Sequence, residues 1–216
     1  MTISSLEHSI LTAYMQFRPD STIKDVMSSL IYCTGHTIPH VNPIIPLHYS
    51  TLDAILKIMT DIKIEFAPGL KDVLLSKAPP TISFIKSLPL PDRSKWPDIW
   101  ANYGILQEAP PHTGLPPLFY IGKTSPQTGG IVHRMGCYHR NDKAGQPVEF
   151  YSKAHLGYKT THIGLLSWCP SAAKLDASLV SYAQTMLVTV ECTLAFALWA
   201  QRSRLPNAYG MGHLRR

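Results

Sequence analysis

The chain has 216 residues, of which 45% are apolar and only 16% charged, with a net charge of +6 and a pI near 9.1. This length suits one large domain, or one domain with an extension, and the basic balance suits a polyanionic partner. Four widely separated cysteines without a CxxC pair give no zinc signature and argue against a disulfide framework. No charged start followed by an apolar core opens the chain, so we expect an intracellular protein, nuclear or cytoplasmic, and not a secreted one.

The first 97 residues are predicted to be a helical N-terminal extension that ends in a proline-rich connection. Apolar side chains recur at helical spacing from Thr22 to Tyr32, and further helical patterns begin at Ser50 and Leu70. Five prolines then fall between residues 77 and 97, and such a segment resists helix interiors and central strands. We interpret it as the link to the main domain.

Beyond residue 98 the pattern becomes that of an α/β domain. Strand-like and helix-like stretches follow one another in the order strand, strand, helix, strand, helix, at residues 99–107, 118–124, 131–140, 162–169 and 171–202. This order predicts an α/β (α+β) fold over residues 98–205, in which a small mixed or antiparallel sheet is flanked by helices.

The last part of the chain carries two further expectations. The apolar run at residues 186–200 is interrupted by Glu191 and is too short to span a bilayer comfortably, so it predicts a buried helix and no membrane partner. Residues 206–216 form a short basic tail, which ends soon after Tyr209-Gly210-Met211 and is compatible with a truncated gene product.

The segment Tyr120-Ile121-Gly122, followed by Arg134, His139 and Glu191, resembles the signature of the GIY-YIG nuclease family. The similarity covers residues 99–205, and the loop before Arg134 and the Tyr209-Gly210-Met211 segment are similar to those of fungal members. The resemblance implies an endonuclease that hydrolyses DNA phosphodiester bonds with one divalent cation, Mg²⁺ or Mn²⁺, and without a small organic cofactor.

Glu191 is chemically the most informative residue of this set. Its helical neighbours Leu187, Val188, Leu194 and Ala195 are all apolar. A carboxylate in such a setting is costly unless a cation, an arginine or a hydrogen-bond network receives it. We favour the metal ligand that the resemblance implies over a structural ion pair with Arg134 or Lys123.

The resemblance also assigns roles to the other members. Tyr120 would handle the attacking water, Arg134 would clamp the scissile phosphate, and His139 would be a weaker candidate for carrying a proton. Lys123 would contact a phosphate, or else be a plain surface lysine. Gly122 shares the strand face of Tyr120 and would clear space for a ligand. We expect the side chains of Tyr120, Arg134 and Glu191 to converge on one cleft.

The chain departs from the family pattern in the first motif, Gly104-Ile105-Leu106, where a tyrosine is expected at position 106. Tyr103 lies three residues earlier and therefore on the opposite strand face from Leu106 unless a bulge intervenes. Two functions stay open: an endonuclease, or a catalytically inactive module of the same fold that binds nucleic acid or protein. The enzyme hypothesis gains if Tyr103 or His139 points into the pocket beside Tyr120.

Overall fold

A computed structural model of the chain describes residue 17 and residues 20–37, 51–76, 78–90, 93–140, 157–198 and 211–213, with backbone alone at 35–37, 136–140 and 211–213. The first 16 residues of the predicted extension, most of the predicted tail and the side chain of His139 lie outside the described residues.

Six α-helices are described: α1 Ile23–Thr37, α2 Leu52–Asp61, α3 Leu70–Leu75, α4 Ile82–Ser87, α5 Gly130–Arg140 and α6 Ala177–Ala197. Two 3-10 helices cover Arg93–Asp98 and Pro111–Thr113. The strands are β1 Glu65–Phe66, β2 Ile99–Glu108, β3 Leu118–Thr124, β4 Lys159–Pro170 and β5 Met211–His213.

The strands form one sheet in the order β1-β4-β2-β3-β5, and every neighbouring pair is antiparallel. β2 lies in the middle, and its pairing with β4 shifts register twice, between Asn102 and Tyr103 and between Leu106 and Gln107. Its pairing with β3 runs without a shift from Ala101↔Thr124 to Gln107↔Leu118. The predicted α+β fold, an antiparallel sheet flanked by helices, is therefore confirmed.

The two faces of the sheet belong to different cores. We call one the tyrosine face; its side chains pack with α5 and include Ala101, Tyr103, Ile105, Tyr120 and Leu165. We call the other the α6 face; it includes Trp100, Leu106, Phe119, Ile121 and Leu166. Because neighbouring residues of a strand point to opposite faces, Tyr120 lies between two side chains of the α6 face.

The core of the α6 face is the larger one and extends beyond the sheet. Helices α1 to α4 contribute to it together with α6, whose contribution is Ala183, Met186, Leu187, Val190 and Leu194. Strand β1 also joins the sheet by pairing with β4. The predicted extension and the predicted domain thus share one continuous core.

Helix α6 is long and apolar enough to cross a membrane, judged by length and composition alone. Its buried side, however, packs on the sheet and on α1, where the hydroxyls of Thr34 and Thr193 lie 3.4 Å apart. This packing accounts for much of the apolar sequence that the helix carries.

The proline-rich segment contains more helix than the sequence predicts. Helix α4 fits between Pro80 and Pro89, so both prolines lie outside it. Thr81 caps the helix by accepting a hydrogen bond from the Phe84 N–H at 3.1 Å. The prediction was wrong here because flanking prolines limit the length of a helix without preventing it.

Helix α5 starts at a point where a side chain does not fit. Gly130 has φ +49°, and a methyl group there would lie 2.2 Å from the Trp96 carbonyl oxygen, 2.6 Å from that of Pro97 and 2.7 Å from that of Ile99. These oxygens belong to backbone, which cannot simply rotate away. The start of α5 is therefore held against the beginning of β2.

We predict that Gly130→Ala lowers the free energy of unfolding in urea by more than Gly114→Ala does. Both glycines have positive φ, but a methyl group at Gly114 would meet no atom within 4 Å. Gly114→Ala should cost about 1–2 kcal/mol of left-handed strain, and Gly130→Ala should cost that strain plus the clash. Equal costs would contradict the described contact.

Cys169 lies in the core of the α6 face, where burial raises the pKa of its thiol to about 12. Since the thiolate is the reactive form, we predict that an alkylating agent at neutral pH modifies Cys169 only after unfolding. Mass spectrometry should find the half-buried Cys33 and Cys192 modified first. Modification of Cys169 in the folded protein at the same rate would show that this region is open.

Candidate active site

Tyr103 and Gly122 are direct partners in the β2–β3 pairing. A methyl group at position 122 would lie 2.7 Å from the Tyr103 hydroxyl and 2.8 Å from Tyr120 Cε1. Such distances are too short for real carbon atoms, so both aromatic rings occupy the space that glycine leaves. The two tyrosines of the tyrosine face therefore meet above Gly122.

Arg134 joins this pair from helix α5. Its Nε donates a hydrogen bond to the Tyr103 hydroxyl at 3.0 Å, and Arg134 itself is half-buried. Ile131 and Met135 of the same helix pack on the tyrosines and fix the side of α5 that faces the sheet. The contact between Gly130 and the Trp96 carbonyl determines how far along the sheet Arg134 lies.

The tyrosines differ slightly in exposure. Tyr103 is completely buried, whereas Tyr120 retains 4% of its surface. Because Arg134 donates to the oxygen of Tyr103, the hydroxyl hydrogen of Tyr103 is directed elsewhere. The cluster thus contains a phenol held by a guanidinium, and a second phenol next to it.

The space beside Gly122 is not the ligand cleft that the sequence suggested, because Tyr103 fills it. The structure also shows which residue near the first motif has its hydroxyl beside Tyr120. Leu106 pairs with Phe119 and lies in the core of the α6 face, so position 106 has no access to Tyr120. Tyr103 provides the hydroxyl beside Tyr120, and no bulge is needed, since the β2–β3 register is regular.

Lys123 does not share the tyrosine face. It follows Gly122 on the strand and therefore points to the α6 side, where its Nζ donates to Ser125 Oγ at 3.3 Å. The backbone of His139 lies in α5, but the position of its imidazole is outside the described part of the chain.

Glu191 lies on α6, the helix that covers the opposite face of the sheet. It is half-buried, and the apolar side chains of Leu187 and Leu194 beside it are fully buried. The structure therefore brings Tyr103, Tyr120 and Arg134 together on one face of the sheet and places Glu191 on the helix that covers the other face. The described contacts do not show the convergence of Glu191 with Tyr120 and Arg134 that we expected from the sequence.

The flank of α6 that carries Glu191 also carries Gln184, which contacts the segment directly after β3. Gln184 lies seven residues earlier, hence on the same side of the helix, and its Nε2 donates to the Ser125 carbonyl at 3.5 Å. Glu191 lies roughly 10 Å further along that flank, about the length of three residues of β3.

The described residues contain no group of three or more His, Cys, Asp or Glu side chains able to hold a metal ion. A single carboxylate still fits one kind of metal site, since Mg²⁺ keeps several waters and takes one or two carboxylates together with substrate phosphates. The donor set is compatible with a magnesium ion that binds together with its substrate.

No protein-family model, no curated protein and no solved structure matches this chain. The class that the fold defines is an α+β protein with an antiparallel sheet, and the assignment of its function depends on the cluster of Tyr103, Tyr120 and Arg134.

We predict an energetic coupling between Tyr103 and Arg134. In a double-mutant cycle with Tyr103→Phe and Arg134→Met, urea unfolding should give a coupling of about 1.5–3 kcal/mol, as expected for a hydrogen bond to a charged group. The pair Lys57 and Asp61, exposed on α2 at 2.7 Å, should give about 0.5 kcal/mol or less. Additive effects of the two site substitutions would contradict the hydrogen bond.

Proposed function

We propose that this protein is a metal-dependent endonuclease of the GIY-YIG type that hydrolyses phosphodiester bonds in DNA. The observation that carries the proposal is the meeting of Tyr103, Tyr120 and the Arg134 guanidinium above Gly122. Phosphodiester hydrolysis needs a positively charged group that binds the phosphate and a group that accepts or donates a proton near the attacking water. This cluster contains both kinds of group.

Arg134 is the proposed phosphate clamp. A guanidinium has five N–H groups in a planar fork, so a bond from Nε to a tyrosine is compatible with a phosphate bound at the terminal nitrogens. Tyr103 would then act as a positioning residue that holds the fork at one angle. Its complete burial fits this role better than direct contact with the water.

Tyr120 is the proposed proton-handling group, because its ring is next to Tyr103 and it is slightly less buried than Tyr103. Glu191 would hold the divalent cation, Mg²⁺ or Mn²⁺. Such an ion, when bound, offsets negative charge on the phosphate and stabilises the leaving oxygen. The N-terminal helices, the α6 helix and the sheet would form one scaffold for these groups.

A second candidate function is a catalytically inactive module of this fold that binds nucleic acid or protein. The burial of both tyrosines favours it, because a buried phenol does not meet water without some opening of the structure. The two candidates differ in one property: the enzyme turns over substrate with a divalent cation, and the module binds without turnover.

The test is cleavage of supercoiled plasmid DNA by the full chain while Mg²⁺ is titrated. We predict cleavage that depends on the cation, a loss on the order of 10²–10³-fold for Arg134→Met, and a loss on the order of 10²-fold or more for Tyr120→Phe. Glu191→Gln keeps the shape of the side chain but removes the charge, and should abolish the response to Mg²⁺.

The matched control is Glu108→Gln. Glu108 contacts Lys86 at 3.1 Å at the end of β2, away from the cluster, so its loss should leave cleavage unchanged. Cleavage that persists in Glu191→Gln would remove the assigned metal ligand. Absence of cleavage by the natural sequence, together with DNA binding, would favour the inactive module.

A further inference from the structure

The 3-10 helix at residues 93–98 places two exposed cations beside the candidate site. Arg93 and Lys95 are both exposed, and neither is paired with a carboxylate in the part of the chain that the structure describes. The acidic residue of this helix, Asp98, contacts Lys174 at 3.8 Å, so its charge is offset locally. Asp92 lies outside the described residues. The surface of the helix is therefore basic.

Arg93 is held in place by an aromatic ring. Its guanidinium carbon lies 5.5 Å from the centre of the Trp96 ring, a cation–π distance. Trp96 in turn is half-buried and packs against the core that contains Tyr103 and Tyr120. The position of Arg93 is thus tied to the tyrosine face.

The same helix also contacts α5 through backbone. The carbonyl oxygens of Trp96 and Pro97 surround Gly130, the first residue of α5. Arg93 is one 3-10 turn before this crossing point and Arg134 is one α-helical turn after it, each roughly 6 Å along its axis. The two axial lengths add up to at most roughly 12 Å, which is no more than the axial length of three to four nucleotides of one DNA strand at about 3.4 Å each.

We propose that Arg93, Lys95 and Trp96 form a basic ridge that binds backbone phosphates of duplex DNA next to the phosphate held by Arg134. The inference rests on the proposed function and names the part of the substrate that lies outside the cleavage site. Guanidinium and ammonium groups bind phosphates regardless of base sequence, so the ridge positions the duplex and adds no sequence preference. The contact with Trp96 restricts the motion of Arg93 and lowers the entropy that Arg93 loses on binding.

The test measures affinity for a mixed-sequence 20-base-pair DNA duplex in EDTA, at several salt concentrations. Removing two phosphate contacts with Arg93→Gln and Lys95→Gln should reduce the slope of log affinity against log salt by about 2. When the salt concentration rises from 50 to 200 mM, the affinity of both proteins falls. The factor of this fall should be roughly ten times smaller for the double variant than for the natural sequence. Both side chains are exposed, so unfolding in urea should change by no more than the loss of the exposed contact between Arg93 and Trp96.

The control double variant, Lys24→Gln with Lys159→Gln, removes the same charge from α1 and from the start of β4. It should keep the slope of the natural sequence, and so should the charge-preserving exchange of Arg93→Lys with Lys95→Arg. Equal reductions in slope by the ridge variant and the control variant, or no reduction in either, would overturn the proposal.

This experiment is separate from the cleavage test because EDTA removes the cation. A natural sequence that fails to cleave plasmid DNA while the ridge variant shows the smaller slope would refute the endonuclease and support the ridge. Cleavage that depends on Glu191 together with unchanged slopes would support the endonuclease and refute the ridge.

Discussion

The pairing of β2 with β3 sets Tyr103 directly opposite Gly122, with Tyr120 two residues away on the same face. Only glycine at position 122 permits this arrangement, because the phenol of Tyr103 and the ring of Tyr120 fill the volume where a side chain would begin. A shift of the pairing by one residue would turn the tyrosine of the shifted strand toward the α6 core and separate it from the other. The register therefore determines whether any cluster of polar groups exists on this face.

A second contact places the cation of the cluster. The crowding of Gly130 by three backbone carbonyls fixes where α5 starts, and Ile131 and Met135 fix which of its sides faces the sheet. Arg134 then reaches the Tyr103 hydroxyl. The same backbone contact involves the 3-10 helix of Arg93 and Trp96. The candidate phosphate clamp, Arg134, and the proposed ridge are therefore connected through a few peptide groups.

The larger core supports this arrangement from the opposite side. Phe119 and Ile121 alternate with Tyr120 and Gly122 along β3, and they are buried under α6 and the N-terminal helices. Strand β3 is therefore held on both faces, which limits how far its tyrosine can move. The N-terminal helices contribute to the geometry of the cluster through this shared core.

Much of the fold was readable from local patterns. Prolines and glycines mark the ends of β2, β3 and α5, which were predicted to within one residue. The apolar run around Glu191 marks α6, but its start was predicted at residue 171 and lies at Ala177. The two-residue strand β1 and the helix α4 were missed, since one is too short to show a period and the other lies among prolines.

The candidate site could be predicted only in part from the sequence, because its geometry depends on tertiary packing. Tyr120 and Arg134 were singled out from the sequence, and Tyr103 was kept as a candidate because the family pattern has a tyrosine at position 106, where this chain has leucine. Which residue of β2 lies opposite Gly122 depends on strand register, and register is decided by tertiary packing. The side of α6 to which Glu191 points likewise depends on how the helix packs, as the contact of Gln184 with Ser125 shows.

The most direct test of the central claim compares two glycines that lie on opposite faces of the same strand pair. A methyl group at Gly122 would displace the two tyrosines, while one at Gly104 would meet the Phe119 ring at 2.5 Å in the core of the α6 face. Magnesium-dependent cleavage by Gly122→Ala and Gly104→Ala should be measured at a temperature at which both variants are folded. The account predicts a large loss of rate for Gly122→Ala and a rate close to that of the natural sequence for Gly104→Ala. Equal rates in the two variants would contradict the claim that the tyrosine cluster above Gly122 is the active site.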